Sequence, residues 1–420
     1  MSRGIQRRSR RRRTPRAATR RRAASGALDG IRIVDLTRAM AGPYCTMLLG
    51  DLGAEVLKIE EPEKGDETRA WGPPFVNGES TYFLSANRNK KSVAVNLKTA
   101  GGRALVERLL TGSDVLVENF RPGTLARLGL DPARLLRRHR RLIICSISGY
   151  GLDGPGRDLP GYDLILQGEG GIMSLTGEVE GPPGKVGVAV ADIGAGMFAA
   201  IGILAALQAR ARSGRGQIVD TSLLEGQVAW MTYMASAYFA TGRNPARPGT
   251  GHPSIVPYQA FATRDIPLTV AVNNEKLWRG FCDALGLGHL RDDPRFRSNP
   301  ERVRHRAELV PELEAHFKAR SGRDLLKTLR AAGIPCGPIQ TIAEVCADPQ
   351  VLHRRMVQEM DHPVAGRIRQ LGVPIKLSST PGSLRLPPPM LGQHTDEVLA
   401  ERLRLSRRAI EKLRAAGAIR

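Results

Sequence analysis

The strongest constraint on this chain is a strand–helix–strand pattern that begins at Ile31 and keeps repeating. Residues 31–36 (IRIVDL) form an apolar run of the kind buried on both faces of a sheet. Ala41-Gly42-Pro43 follows, placing proline in the first turn of a helix that reaches about Leu49. Gly53 closes that segment, and EVLKIE (55–60) is the next strand. A β-α-β unit of this size dictates a parallel pair with a right-handed crossover. The alternation continues with strands over 91–97 (KSVAVNL), 114–119 (DVLVEN) and 142–148 (LIICSIS) and a helix over 101–111. A further strand over 185–192 (KVGVAVAD) is expected to feed directly into a helix that opens near Ile193 and closes at Ser213-Gly214. Repeated parallel strands joined by helices predict a doubly wound α/β core. No GxGxxG follows the first strand, so a dinucleotide fingerprint is absent.

Beyond about residue 225 the texture changes. Residues 225–245 read as helical, 247–259 (RPGTGHPSIVPYQ) as loop, and 265–330 as short strands mixed with helices. This predicts a smaller domain over 225–333, inserted after a large domain at 28–224. The chain is then expected to return to the large domain over 334–420, with Pro387-Pro388-Pro389 marking a late loop before a C-terminal helix.

Charge is unevenly placed. The formal net charge is +22, yet residues 1–25 hold eleven arginines and no acid, which leaves about +11 on the rest. Such a body attracts polyanions. The leader, 1–27, reads three ways: a disordered tail, a transit peptide, or a nucleic-acid arm. Ile5 is its one large aliphatic residue before Leu28, so it has no apolar face, and a disordered extension with only non-specific nucleic-acid contacts is expected. The stretch 193–207 is the most apolar in the chain, but Arg210, Arg212 and Arg215 follow it, and a buried core helix is expected in place of a membrane span. The five scattered cysteines form no CxxC pair and the eight histidines no HExxH, which argues for a reducing compartment and metal-free chemistry.

Asp192 is the first candidate for chemistry. At the junction of strand and helix it either caps the helix or presents an ionised nucleophile. Backbone N–H groups and the helix dipole favour the anion, and the following Gly194 and Gly196 leave room for a ligand. Asp163 and Gln167 are four apart and share one helical face, ahead of Gly170-Gly171. They either start a helix or touch a ligand. Arg38, Arg121 and Arg127 follow strands at their carboxyl ends, where open α/β sheets bind ligands and guanidinium forks suit phosphate oxygens. The glycine-containing loop 249–252 (GTGH) is either a mobile lid or an ordinary turn.

Taken together, LDGIRIVDLTRAMAGP (28–43), LGDLGAEVLKIE (49–60), NRNKKSVAVNLK (87–98), VENFRPG (117–123), VAVADIGAG (188–196), SGRGQIVD (213–220) and LGQHTDEVL (391–399) resemble the class III CoA-transferases. That family includes formyl-CoA transferase, carnitine CoA-transferase and α-methylacyl-CoA racemase, and the likeness runs from about residue 28 to 410. STYFLSANRNKKS (80–92), GTGHPSIVPYQAF (249–261) and DPQVLHRRM (348–356) look most like the succinate–hydroxymethylglutarate branch, which implies dicarboxylic acids and their CoA esters as substrates. The resemblance implies that Asp192 is the nucleophile. It implies CoA contacts at Arg38, Met40, Ala41, Val95, Asn96, Leu97, Lys98, Asn119, Phe120, Arg121, Arg127, Tyr162 and Asp163. Coenzyme A enters as a substrate moiety, with no permanently bound cofactor and no metal. The implied fold is a Rossmann-like large domain built from both chain ends plus a small inserted α+β domain. Two such chains interlock as a homodimer in the cytoplasm, or in the mitochondrial matrix if the leader is a transit peptide.

Two rivals remain. A racemase of the same family would move an α-proton by acid–base chemistry, but the residue before Asp163 is Tyr162 where that branch carries histidine, a far better proton shuttle near neutral pH. A nucleic-acid binder acting through the leader would need an aromatic-rich surface or a recognisable module, and the sequence has neither.

Overall fold

The computed structural model describes residues 26–420, so the arginine leader lies outside the described residues except for its last two positions. Six parallel strands form the central sheet: β1 (Arg32–Asp35), β2 (Glu55–Glu60), β3 (Lys90–Ala94), β4 (Val115–Glu118), β5 (Ile143–Ser148) and β6 (Ile218–Ser222). Their spatial order is β3-β2-β1-β4-β5-β6. The chain winds outward from β1 in one direction and from β4 in the other, which opens a crevice at the carboxyl ends of those two neighbours.

The strands are mostly apolar on both faces because both faces are covered, with buried polar residues such as Asp35, Lys58, Glu60 and Lys90 among them. Ile33, Val56, Val115, Ile143 and Cys145 pack on one side against helices α1 (Ala41–Asp51) and α4 (Val190–Ser213). Their alternate neighbours Val34, Leu57, Leu116 and Ile144 pack on the other against α2 (Ala100–Thr111), α5 (Thr395–Leu403) and α6 (Arg407–Ala415). The last residues close onto the sheet as well, since Val95 bridges Ile419. A shorter helix, α3 (Asp163–Glu169), lies against α4.

Glycine sets the spacing of α1 and α4. A Cβ on Gly196 would stand 2.5 Å from the Ala41 carbonyl oxygen, so only a bare backbone lets the first turn of α1 reach α4. The α4 helix is long and apolar enough to cross a membrane. Ala191, Ala195, Ala199, Ile203 and Ala206 instead bury one side of it in the core, as expected from sequence. Its other side leaves Met197 and Ile201 exposed.

A second, antiparallel sheet holds β7 (Tyr258–Phe261), β8 (Leu268–Ala271) and β9 (Cys336–Pro338). Its core includes Phe261 stacked on Phe317 at 4.4 Å. Two corrections follow. The return to the large domain expected from 334 does not begin there, because β9 pairs with β8 in the small sheet. The strand expected over 185–192 is absent: 182–189 is irregular and α4 starts at Val190. Its alternating valines imitate a strand, but the Val186 amide donates to the Gln167 side chain (2.8 Å) and Val188 is exposed, so no neighbouring strand pairs with it.

Candidate active site

The crevice between β1 and β4 opens into a cleft of about 430 Å3. Arg38–Ala41 enters it from the end of β1, Asn119–Pro122 from the end of β4, and Ser148 and Gly149 from the end of β5. Asn119 stitches the first two loops together, accepting from the Arg38 amide and donating to the Arg38 carbonyl, both at 2.9 Å. The Arg38 guanidinium sits 5.6 Å from the centre of the Phe120 ring. Ala39 is left-handed (φ 60°), a costly conformation for a residue with a Cβ. Its amide is held by Asp66 at 3.2 Å.

Asp66 belongs to a buried ionic scaffold beneath these loops. Lys58 Nζ donates to Asp66 (2.8 Å) and to the Thr37 carbonyl (2.9 Å). Lys90 Nζ lies 3.3 Å from Asp35, which also accepts from the Thr37 amide and from the Thr37 and Thr46 hydroxyls. Burial opposes ionisation of Asp66, yet Lys58 and the Thr68 amide and hydroxyl outweigh it and hold the carboxyl down at about 2. The scaffold fixes the loop after β1 from below and offers no free charge to the cleft.

Asp192 reaches the cleft from the first turn of α4. It is not the cap of that helix, which corrects one sequence expectation. Asp163 takes that role: its Oδ1 accepts from the Ala191 amide (2.9 Å), while its Oδ2 accepts from Gln167 Nε2 (2.8 Å). The i, i+4 pair read from sequence is therefore real, and it frees Asp192 from local bonding. The expectation of a firmly ionised Asp192 is also corrected. Burial pushes its carboxyl up to about 7, and the Asp163 charge adds to the effect. The helix dipole favours the anion by at most about 2 kcal/mol in a partly buried site, which the effect of burial outweighs. Tyr82 faces the two carboxylates, and burial together with the charge of Asp192 pushes its phenol up to about 12.

Of the other residues expected at the site, Arg38, Met40, Ala41, Asn119, Phe120, Arg121, Tyr162 and Asp163 line this cleft with Asp192. Val95, Asn96, Leu97, Lys98 and Arg127 do not line it. Val95 is buried in the core and Leu97 packs against it. The Asn96 amide donates to the Ala418 carbonyl (2.9 Å), and its side-chain oxygen accepts from the Lys98 amide (3.0 Å). Arg127 is exposed and donates to the Thr124 hydroxyl at 2.7 Å. The GTGH loop stands apart from the cleft lining and is anchored: Arg306 donates to the His252 carbonyl at 2.6 Å. Sequence reasoning missed Glu67, Trp71, Tyr82 and Lys185 as lining residues. Glu67 and Tyr82 come from short helical turns (Glu67–Ala70 and Thr81–Ala86), and Trp71 and Lys185 from irregular segments, all within the connections between sheet strands.

Gly149 and Gly161 form the cleft wall by direct backbone contact, since a Cβ on Gly149 would lie 2.9 Å from the Gly161 Cα. A largely buried carboxylate in a cleft also lined by glycine backbone and guanidinium groups suits attack on an activated acyl group of an anionic substrate.

A family model described as CoA-transferase family III matches residues 28–395. The chain is 46% identical over 392 residues to the succinyl-CoA:glutarate CoA-transferase of Mus musculus, covering 93% of this chain and 90% of that protein. It is 43% identical over 380 residues to the succinate–glutarate CoA-transferase of Agrobacterium fabrum, covering 89% and 95%. Among solved structures, a CAIB/BAIF family protein from Brucella suis superposes with a TM-score of 0.80 at 41% identity, covering 90% of this chain and 100% of that one.

Proposed function

The chain belongs to CoA-transferase family III, and from that membership we propose that it moves CoA from succinyl-CoA to a dicarboxylic acid such as glutarate through a covalent intermediate on Asp192. It is an enzyme that transfers CoA. The observation that carries the covalent reading is the Asp192 carboxylate: desolvated, free of local hydrogen bonds, and set in the cleft at the switch point of the sheet.

In this reading, an ionised Asp192 oxygen attacks the thioester carbonyl, the C–S bond breaks, and CoA leaves as thiolate. The product is a mixed anhydride. The thiolate then attacks the Asp192 Cγ and expels the donor as a free carboxylate, leaving an aspartyl-CoA thioester. The acceptor carboxylate attacks the same Cγ and expels thiolate. Thiolate attack on the acceptor's acyl carbon finally releases the new acyl-CoA and restores Asp192. No net proton is consumed, and each step exchanges groups of similar reactivity. Partial desolvation of the carboxylate strengthens it as a nucleophile, and exclusion of water protects the anhydride and thioester from hydrolysis. Arg38 and Arg121, which line the cleft from the loops after β1 and β4, suit the CoA phosphates.

An interlocked homodimer is part of the same reading. The outer side of α4 (Met197, Ile201) and the segment 228–239 (Val228, Tyr233, Tyr238, Phe239) leave apolar side chains exposed, and Phe239 is 79% exposed. A second copy of this chain is the occupant that family membership favours. The free cysteines support a reducing compartment such as the cytoplasm. The reading is tested by incubating the protein with succinyl-CoA and a panel of free acids and following new CoA esters by mass. Formation of glutaryl-CoA or a related dicarboxyl ester is the expected result, and no new ester with any acid would overturn it.

A further inference from the structure

The proposed acceptor carries two carboxylates, one that reacts and one that remains, and the second needs a partner inside a cleft that already holds Asp163 and Asp192. Four cationic side chains line that cleft: Arg38, Arg121, Arg157 and Lys185. Arg38 and Arg121 stand at the carboxyl ends of β1 and β4, at the switch point where phosphates bind. Arg157 has a carboxylate neighbour, Asp158, at 3.6 Å. Among the described residues, Lys185 has no acid within ion-pair distance, and its Nζ makes one hydrogen bond, to the Val186 carbonyl at 3.1 Å, which leaves two N–H directions unused.

The backbone around Lys185 is registered to Asp192 by one bracket. Gln167 Oε1 accepts from the Val186 amide at 2.8 Å, and Gln167 Nε2 donates to Asp163 Oδ2 at 2.8 Å. Asp163 Oδ1 in turn accepts from the Ala191 amide, one residue before Asp192. An irregular segment has no strand or helix of its own to fix its position. Here the buried Gln167 supplies that fixity and ties the segment bearing Lys185 to the start of α4.

Resting on the dicarboxylate reading above, we infer that Lys185 is the specificity-determining residue that pairs with the carboxylate of the acceptor that does not react. A flexible ammonium on a four-carbon stem tolerates acids of differing chain length better than a rigid guanidinium fork would.

The test is an internal competition. Succinyl-CoA is given with equimolar glutarate and pentanoate, acids of equal chain length that differ in the second carboxylate, and the ratio of glutaryl-CoA to pentanoyl-CoA is read by mass. Both acceptors draw on the same charged enzyme, so the ratio is independent of the donor step and of how much of a variant folds. Wild type is expected to favour glutarate strongly. Lys185→Met is expected to cut that preference by roughly ten- to a hundredfold, the value of a charge-assisted contact, and Lys185→Arg to retain most of it. An unchanged ratio in Lys185→Met, including the case where a CoA-phosphate contact slows both acceptors equally, overturns the role of Lys185 and leaves the substrate reading standing. A wild type without preference for glutarate overturns both.

Discussion

Replacing Asp192 by asparagine should make the protein more stable, and increasingly so as pH rises. Burial lifts the folded-state pKa of Asp192 from 3.8 to about 7, with Asp163 contributing. For an acid whose pKa is raised by folding, the folded state holds a proton that the unfolded state has lost, so stability falls as pH climbs between the two values. Below about pH 3.8 the two states are protonated alike and the group costs nothing. Above about 7 both are ionised and the penalty is complete. At ~1.36 kcal/mol per pH unit, a shift of this size destabilises the folded protein by at most about 4 kcal/mol at pH 8, and by about 2 at pH 5. Water reaching the partly buried carboxylate reduces both figures. Asparagine has a similar shape and no charge, so Asp192→Asn should recover most of that difference. Urea denaturation of the two proteins at pH 5, 6.5 and 8 measures it directly, with the midpoint gap widening toward pH 8. A gap that is absent at pH 8, or that does not shrink on acidification, would mean that Asp192 is solvated or paired, and the desolvated nucleophile would have to be abandoned.

Removing Asp163 should move Asp192 the other way. In Asp163→Asn the neighbouring negative charge is lost, so the acidic limb of kcat/KM against pH, expected near 7 in the wild type, shifts to lower pH. An unshifted limb would show that the two carboxylates do not interact. Gly196→Ala should destabilise by about 1–3 kcal/mol in chemical denaturation, because the new methyl meets the Ala41 carbonyl; a neutral effect contradicts the close α1–α4 contact. Arg121→Ala should weaken CoA binding in calorimetry by roughly tenfold or more, while Arg127→Ala should change it far less, since only Arg121 lines the cleft. Equal losses would extend the CoA site beyond the cleft described here.

The central sheet was legible because β1, β4 and β5 are largely apolar runs, a pattern typical of a parallel sheet buried on both faces, and because β2 keeps Val56, Leu57 and Ile59 beside its buried Lys58 and Glu60. The same rule misled at 185–192, where alternating valines meet no neighbouring strand and are pinned by Gln167 instead. Strand β9 is three residues long, too short for periodicity to assign it to one sheet or the other. At the site, residues that directly follow β1 and β4 were readable, because the end of a strand predicts its own position in the crevice. Tyr82, Trp71 and Lys185 were not, since long connections bring them there through tertiary packing alone. The Asp163–Gln167 spacing was visible, but its consequence was not. Only the folded chain reveals that Asp163 caps α4 in place of Asp192 and leaves the second aspartate without a hydrogen bond among the described residues.

The most direct test of the account is to catch the intermediate. The protein is mixed with succinyl-CoA without an acceptor, quenched in acid, digested, and searched by mass spectrometry for a peptide carrying CoA. A CoA thioester on the peptide containing Asp192 is expected, discharged when glutarate is added and missing from Asp192→Asn. A CoA adduct on another residue, or full transferase activity in Asp192→Asn, would contradict the assignment of Asp192 as the nucleophile.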